Sequence, residues 1–258
     1  MAKQDSGDDK VTGGTPAARA RARAAEVRAE QEKQVKRRRR INQLLAVVLV
    51  LVAGGAITAA VIAGQRTANA PAETPPNLSA DGAVVLGNPD AETVLQVVED
   101  FQCPACGQFE AVMGDKLDEL SERDDLRVEF RGIAFLDRAS STEYSSRALN
   151  AAVCTVEDGE DVWRQMHAAL FANQPSEGGA GLDDATLIDL AVDAGADEDR
   201  VSDCIEDRSY DKWVEQTTDA TFDEGITGTP TVLLNGDKVD ISTPEDLEKL
   251  VDEAVAAS

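Results

Sequence analysis

The stretch "EDFQCPACGQFE", residues 99–110, decides how the rest of the chain is read. It sets two cysteines three positions apart, with a proline after the first, at the seam between two patterns. On its N-terminal side "TVLQVVEDF" (93–101) is β-rich and almost continuously apolar, as expected of a strand buried on both faces. On its C-terminal side Phe109, Val112, Met113, Leu117 and Leu120 share one face at helical spacing. Pro104 suits the first helical position, where no N–H is needed and φ is already set. Cys103 is therefore expected at the strand-to-helix boundary, with Cys106 one turn in.

Outward from this seam the pattern continues. "AVVLG" (83–87) reads as a short strand and "NPDA" as a turn, while "LRVEFRGIAFL" (126–136) alternates as another strand, closing a β-α-β unit. A helical block follows. Trp163, Met166 and Leu170 mark one helix; Leu187, Ile188 and Ala191 mark a second, stopped by Gly195. Val201, Cys204 and Ile205 mark a third, and Tyr210, Trp213, Val214 and Thr217 a fourth. "GTPTVLLNGDKVDI" then returns to two strands around Asn235-Gly236, a two-residue hairpin signal. The chain closes on a helix capped by Thr243 with Pro244 at its first position. This order builds a central sheet with one parallel crossover and an antiparallel hairpin, an α/β architecture.

Charge divides the 258 residues unevenly. Residues 1–40 hold 12 Lys/Arg against 6 Asp/Glu, whereas 67–258 hold 12 against 43. So acidic a body repels phosphate backbones, which argues against nucleic-acid binding. Residues 41–63, "INQLLAVVLVLVAGGAITAAVIA", carry no charge and suffice to cross a bilayer of roughly 30 Å as a helix. "KRRRR" (36–40) directly precedes them, so the tail is expected in the cytoplasm and everything after the span outside. A cleaved signal peptide is the rival, with "TANA" a weak cleavage site; the long apolar run and the polar stretch before it favour an uncleaved anchor. Residues 64–82, with three prolines, read as a tether between the bilayer and a domain at 83–258.

Outside a membrane, thiols tend to be oxidised or catalytic. Zinc normally takes two close ligand pairs, and Cys103/Cys106 has no second pair beside it. The one histidine, His167, falls among helical apolar positions and reads as a partly packed surface residue, not a ligand. No metal and no cofactor are expected. A structural staple remains open, but the boundary position suits a redox thiol. Unpaired N–H groups and the helix dipole lower a cysteine pKa from about 8.5 into a range of about 3.5–7.5.

"DFQCPACGQF" (100–109) and, after the helical block, "GITGTPTVLLNG" (225–236) resemble the thioredoxin-fold disulfide oxidoreductases of the DsbA type. "YSSRALNAAVC" (144–154) and "MHAALFANQ" (166–174) are similar to the membrane-anchored actinobacterial branch. The resemblance covers most of 84–256 and implies a thioredoxin-like fold with a helical insertion at about 138–224. It makes Cys103 the exposed nucleophile, Cys106 its buried partner, and Thr229-Pro230 a dipeptide with a cis bond beside them. It also implies a structural disulfide between Cys154 and Cys204, in keeping with an oxidising compartment. Many relatives carry an acidic residue six positions before the first cysteine, where this chain has Val97; Glu99 and Asp100 are near, but alternation need not turn either inward.

The expected function is an extracytoplasmic oxidase that donates its disulfide to exported proteins with reduced cysteines. A membrane partner similar to vitamin K epoxide reductase would recharge it. A reductase or isomerase would share fold and nucleophile, the direction resting on the potential. A copper-delivery module is the alternative from another class, weakened by the lack of a His or Met cluster nearby.

Overall fold

The computed structural model describes residues 72–258. The basic tail at 1–40, the uncharged run at 41–63 and the start of the tether lie outside them. Among the described residues no helix is long and apolar enough to cross a membrane.

Five strands form one sheet in the order β1-β3-β2-β4-β5: β1 Val84–Gly87, β2 Thr93–Glu99, β3 Leu126–Gly132, β4 Thr231–Leu234 and β5 Asp237–Val239. Strands β2 and β3 are parallel, with Leu95 opposite Val128 and Val97 opposite Phe130. The remaining neighbours are antiparallel. Helix α1 (Pro104–Ser121) is the crossover between β2 and β3. Helices α2 (Tyr144–Cys154), α3 (Glu160–Ala172), α4 (Asp184–Asp193), α5 (Glu198–Glu206) and α6 (Asp211–Asp223) follow β3, and α7 (Pro244–Val255) follows the hairpin. This is a thioredoxin-like sheet interrupted by a helical block.

Leu95, Val97, Val128 and Phe130 alternate onto one face and join Met113, Leu117 and Leu120 of α1, Met166 and Leu170 of α3, and Leu247 and Val251 of α7 in one apolar core. Each such side chain contributes about 1.5–3 kcal/mol when fully buried. The opposite face carries buried polar side chains that pair with one another. Gln96 Nε2 donates to Asp81 Oδ2 (2.7 Å) and Glu129 Oε2 (2.8 Å), and Arg131 pairs in bidentate fashion with Glu224 (2.6 and 2.9 Å).

Local signals act as their chemistry requires. Asn235 (φ 51°) and Gly236 (φ 86°) both take left-handed backbone, the requirement of the tight turn joining β4 to β5. The Thr243 hydroxyl accepts from Asp246 N at the start of α7.

Three expectations need correction. Val112 is 56% exposed, so the buried stripe of α1 is Cys106, Met113, Leu117 and Leu120. The strand expected to run to Leu136 stops at Gly132, because its partner β2 ends opposite it at Glu99. From there Ile133 N still donates to Glu99 O (2.8 Å), and the chain turns so that Leu136 N reaches Asp100 Oδ2 (2.9 Å). Lastly, the described part of the tether lies on the domain: Leu78 makes an isolated antiparallel bridge to Val84, and Gly82 packs against Trp213.

Candidate active site

Cys103 is the N-cap residue of α1, extended at φ −74° and ψ 117°, with Pro104 following it. Its position is fixed from three sides. Cys103 N donates to Asp100 O (2.9 Å), closing a turn at the end of β2. The buried Asp100 carboxylate accepts from Gln102 N (2.7 Å), Ser145 Oγ (2.7 Å) and Leu136 N (2.9 Å), which ties the turn to α2 and to the segment after β3. From beyond α3, Gln174 Nε2 donates to Phe101 O (3.0 Å) and Cys103 O (2.9 Å). Gly107 lets this side chain in, since a Cβ there would stand 2.4 Å from Gln174 Oε1.

The Thr229-Pro230 peptide is cis, as the resemblance implied, and Thr229 O lies 3.4 Å from Cys103 Sγ. Cys103 and Cys106 are free thiols in this structure. Cys103 is 8% exposed and Cys106 1%. The first cysteine is thus more covered than "exposed" implied, because the Thr229 loop lies over it; Pro104 and Ala105 beside it are open to solvent.

The electrostatics separate the two thiols. Cys103 is pushed down to about 5, foremost by a hydrogen bond from the Cys106 thiol and against the cost of burial. Thr229 and the N–H groups of Cys106 and Ala105 act in the same direction. These N–H groups are the unpaired donors of the helix start. Cys106 moves the opposite way, because it is the donor in that hydrogen bond and is buried. Burial raises Asp100 to about 6 against its three hydrogen bonds.

The second pair is joined. Cys154 at the end of α2 and Cys204 in α5 form a disulfide, with Cα atoms 6.0 Å apart and 50 positions between them in sequence. Asn150 braces it, donating to Cys204 O (3.4 Å) and accepting from Tyr210 N (2.9 Å).

His167 is not at the surface. It is buried, and its Nε2 lies 2.6 Å from Glu99 Oε1. Glu99 and Asp100 are both buried too. Glu99 follows Val97 by two on β2, so the pleat turns both to the same face. Apart from Glu99, a buried partner for a helical histidine leaves no local trace in sequence, and Gln174 acts over more than 70 positions.

Clefts lie along the sheet among the described residues. One of about 460 Å³ adjoins Thr229 and Pro230 and is lined also by Ile226, Thr227, Gly228 and Lys238. A larger one of about 800 Å³, between Leu78, Val94, Arg127 and Asn235, touches none of the cysteines and is remote from the thiol chemistry.

The thioredoxin family model ("Thioredoxin") matches residues 79–253. Among solved structures, the reduced disulfide bond oxidoreductase DsbG of Mycobacterium tuberculosis is 34% identical, with a TM-score of 0.60 over 67% of this chain and 87% of that one. Oxidised DsbA of the same organism is 35% identical, with a TM-score of 0.59 over 67% and 92%. Among curated proteins, the serine/threonine-protein kinase PknE of Mycobacterium tuberculosis is 30% identical over 178 residues, which are 65% of this chain. The chain spans 31% of the length of that relative. The chain belongs to the thioredoxin family, as a thiol-disulfide oxidoreductase of the DsbA type.

Proposed function

We propose that the protein is an oxidase: Cys103 receives the attack of a substrate thiolate and Cys106 is the resolving thiol. The observation that supports this most is the opposite displacement of the two thiols, Cys103 down to about 5 and Cys106 upward. A thiolate held at Cys103 favours the reduced pair and so makes its disulfide a strong oxidant. A substrate thiolate attacks Cys103 Sγ, the Cys103–Cys106 bond breaks, and Cys106 leaves with the electron pair. The second substrate thiolate then attacks the substrate sulfur of the mixed disulfide and expels Cys103 as a thiolate. Thr229 and Pro230 stand beside the attacked sulfur, where an extended substrate segment can pair with their backbone.

The substrates are exported proteins with reduced cysteines, and a membrane protein similar to vitamin K epoxide reductase returns the disulfide. Residues 41–63 anchor the chain in the bilayer with 1–40 in the cytoplasm and the catalytic domain outside; the charge asymmetry around Lys36–Arg40 supports this reading. The test is trapping in cells. Cys106→Ala should accumulate disulfide-linked complexes with exported proteins and with the recharging partner, while Cys103→Ala accumulates none. Complexes that persist in Cys103→Ala would overturn the assignment.

A further inference from the structure

Gln174 stands just past the end of α3, where its backbone N–H donates to Phe171 O (3.2 Å). Its side chain leaves the helical block and reaches the turn that carries Cys103. Nε2 donates to Phe101 O (3.0 Å) and to Cys103 O (2.9 Å), so both N–H groups of the amide serve the two carbonyls that flank Gln102. Cys103 O also accepts from Gly107 N (3.1 Å), the first hydrogen bond of α1. One carbonyl thus ties the helical block to the start of the helix that bears both cysteines.

A second amide crosses the same gap in the other direction. Gln102 is fully buried, and its Nε2 lies 3.5 Å from Ser176 O and 3.4 Å from Gly179 O, in the segment that follows Gln174. Ser140, Thr142 and Arg147 hold that segment in turn, through Gly179 O, Ala180 O and Leu182 O. Gly107 gives a third sign. It lies within α1, and glycine is the poorest helix former after proline, so helix formation does not call for it. Room does: a Cβ there would stand 2.4 Å from Gln174 Oε1 and 3.0 Å from its Cδ. An apolar side chain could pack in the place of Gln174, but it would supply neither N–H to the turn.

We propose that Gln174 is a positioning residue for thiol exchange: it aims the Cys103 sulfur over the start of α1, and through it the helical block sets how reactive that sulfur is. This rests on Cys103 being the thiol that exchanges with substrate.

The aim of the sulfur needs such a hold. Pro104 confines Cys103 to extended backbone, yet that region is broad, and the observed φ of −74° and ψ of 117° are one point within it. The groups that face the sulfur are the Cys106 thiol, Thr229, the N–H groups of Ala105 and Cys106, and the Asp100 carboxylate across the turn. Hydrogen bonds weaken steeply with angle, so a rotation of the Cys103 backbone weakens the stabilising ones together. Gln174 is uncharged and does not titrate. It acts only through where it holds the turn.

The test is iodoacetamide alkylation of the reduced full chain as a function of pH, read at Cys103 by mass, with urea unfolding alongside. Gln174→Met keeps the length of the side chain but offers no N–H. Gly107→Ala keeps Gln174 and closes its notch. In each variant the Cys103 midpoint should move up by about 0.5–1 pH unit, and alkylation below the midpoint should slow about threefold to tenfold relative to its plateau. In the double variant Gly107→Ala with Gln174→Ala, the shift should equal that of Gln174→Ala alone, because the notch then has nothing to admit. A wild-type midpoint in either Gln174→Met or Gly107→Ala would overturn the proposal, whatever the loss in urea, since that marks a brace for stability only. Additive shifts in the double variant would overturn it as well, because Gly107 would then act on its own account. Should Gln174→Met fail to fold, Gly107→Ala carries the same criterion, since Ala favours the helix. Failure of the thiol assignment itself looks different: wild-type Cys103 would then titrate at about 8.5 or above, or Cys106 would be alkylated first.

Discussion

Replacing Cys106 with Ala removes the largest cause of the low Cys103 pKa and leaves the others in place. In the intact pair the Cys106 thiol donates to the Cys103 sulfur, and Thr229 and the N–H groups of Ala105 and Cys106 add to it. A hydrogen bond to a charged group contributes about 1.5–3 kcal/mol, and one pKa unit corresponds to about 1.36 kcal/mol. Cys103 in the variant should therefore rise from about 5 to about 6–7. It should stay below the ordinary cysteine value, because the helix N–H groups remain. The assay is the pH dependence of iodoacetamide alkylation. In wild type the rate should be flat above pH 6 and fall about tenfold per unit below 5; in the variant the same profile should sit higher in pH. The sign carries over to stability. A folded-state pKa depressed to about 5 stabilises the reduced protein fully above the unfolded-state pKa, and that contribution is lost as pH falls towards 5. An unmoved midpoint in Cys106→Ala would refute the hydrogen bond as the main cause. A wild-type midpoint at 8.5 or above would remove the thiolate altogether.

Two further outcomes are expected. Asp100→Asn places an amide N–H against backbone or hydroxyl donors and should cost about 1–3 kcal/mol in urea unfolding. Because the Asp100 pKa is raised from 3.8 to about 6, wild type should lose stability relative to this variant as pH rises across that interval; a constant difference would contradict the burial argument. Replacing Cys154 and Cys204 together by Ala frees a loop of 50 positions, which the chain-entropy relation values at about 4 kcal/mol. Calorimetry should show Tm about 8–16 °C lower, with Cys103 alkylation unchanged; a loss below about 1 kcal/mol would show that the bridge constrains little.

What the sequence made legible followed from periodicity and from residues with one strong local preference. Alternation and continuous apolarity marked β2 and β3, Asn235-Gly236 marked the hairpin, and Pro104 and Pro244 marked two helix starts, because each acts within a few positions. Helix α2 escaped the periodic reading. Ten of its eleven residues are buried, among them Ser145, Arg147 and Asn150, so it has no polar face to alternate with an apolar one. The cysteine pair was visible as a motif at a boundary, but its supports were not. Asp100 holds the turn through Ser145 and Leu136, and Gln174 holds it from more than 70 positions away. His167 shares a face of α3 with Trp163 and Phe171, four positions to either side, which is a local sign of burial; its Glu99 partner and the Phe101 and Phe130 rings come from other segments, and no local pattern shows those.

The central claim is that this pair gives disulfides away. The most direct measurement is the reduction potential of Cys103/Cys106 in the full chain, equilibrated against glutathione buffers and read by alkylation and mass. A Cys103 pKa near 5 with Cys106 displaced upward favours the reduced state, so the potential should lie well above the glutathione range, towards about −120 mV. A value near about −270 mV, where thioredoxin acts as a reductant, would contradict the oxidase and leave the same two thiols working in the opposite direction.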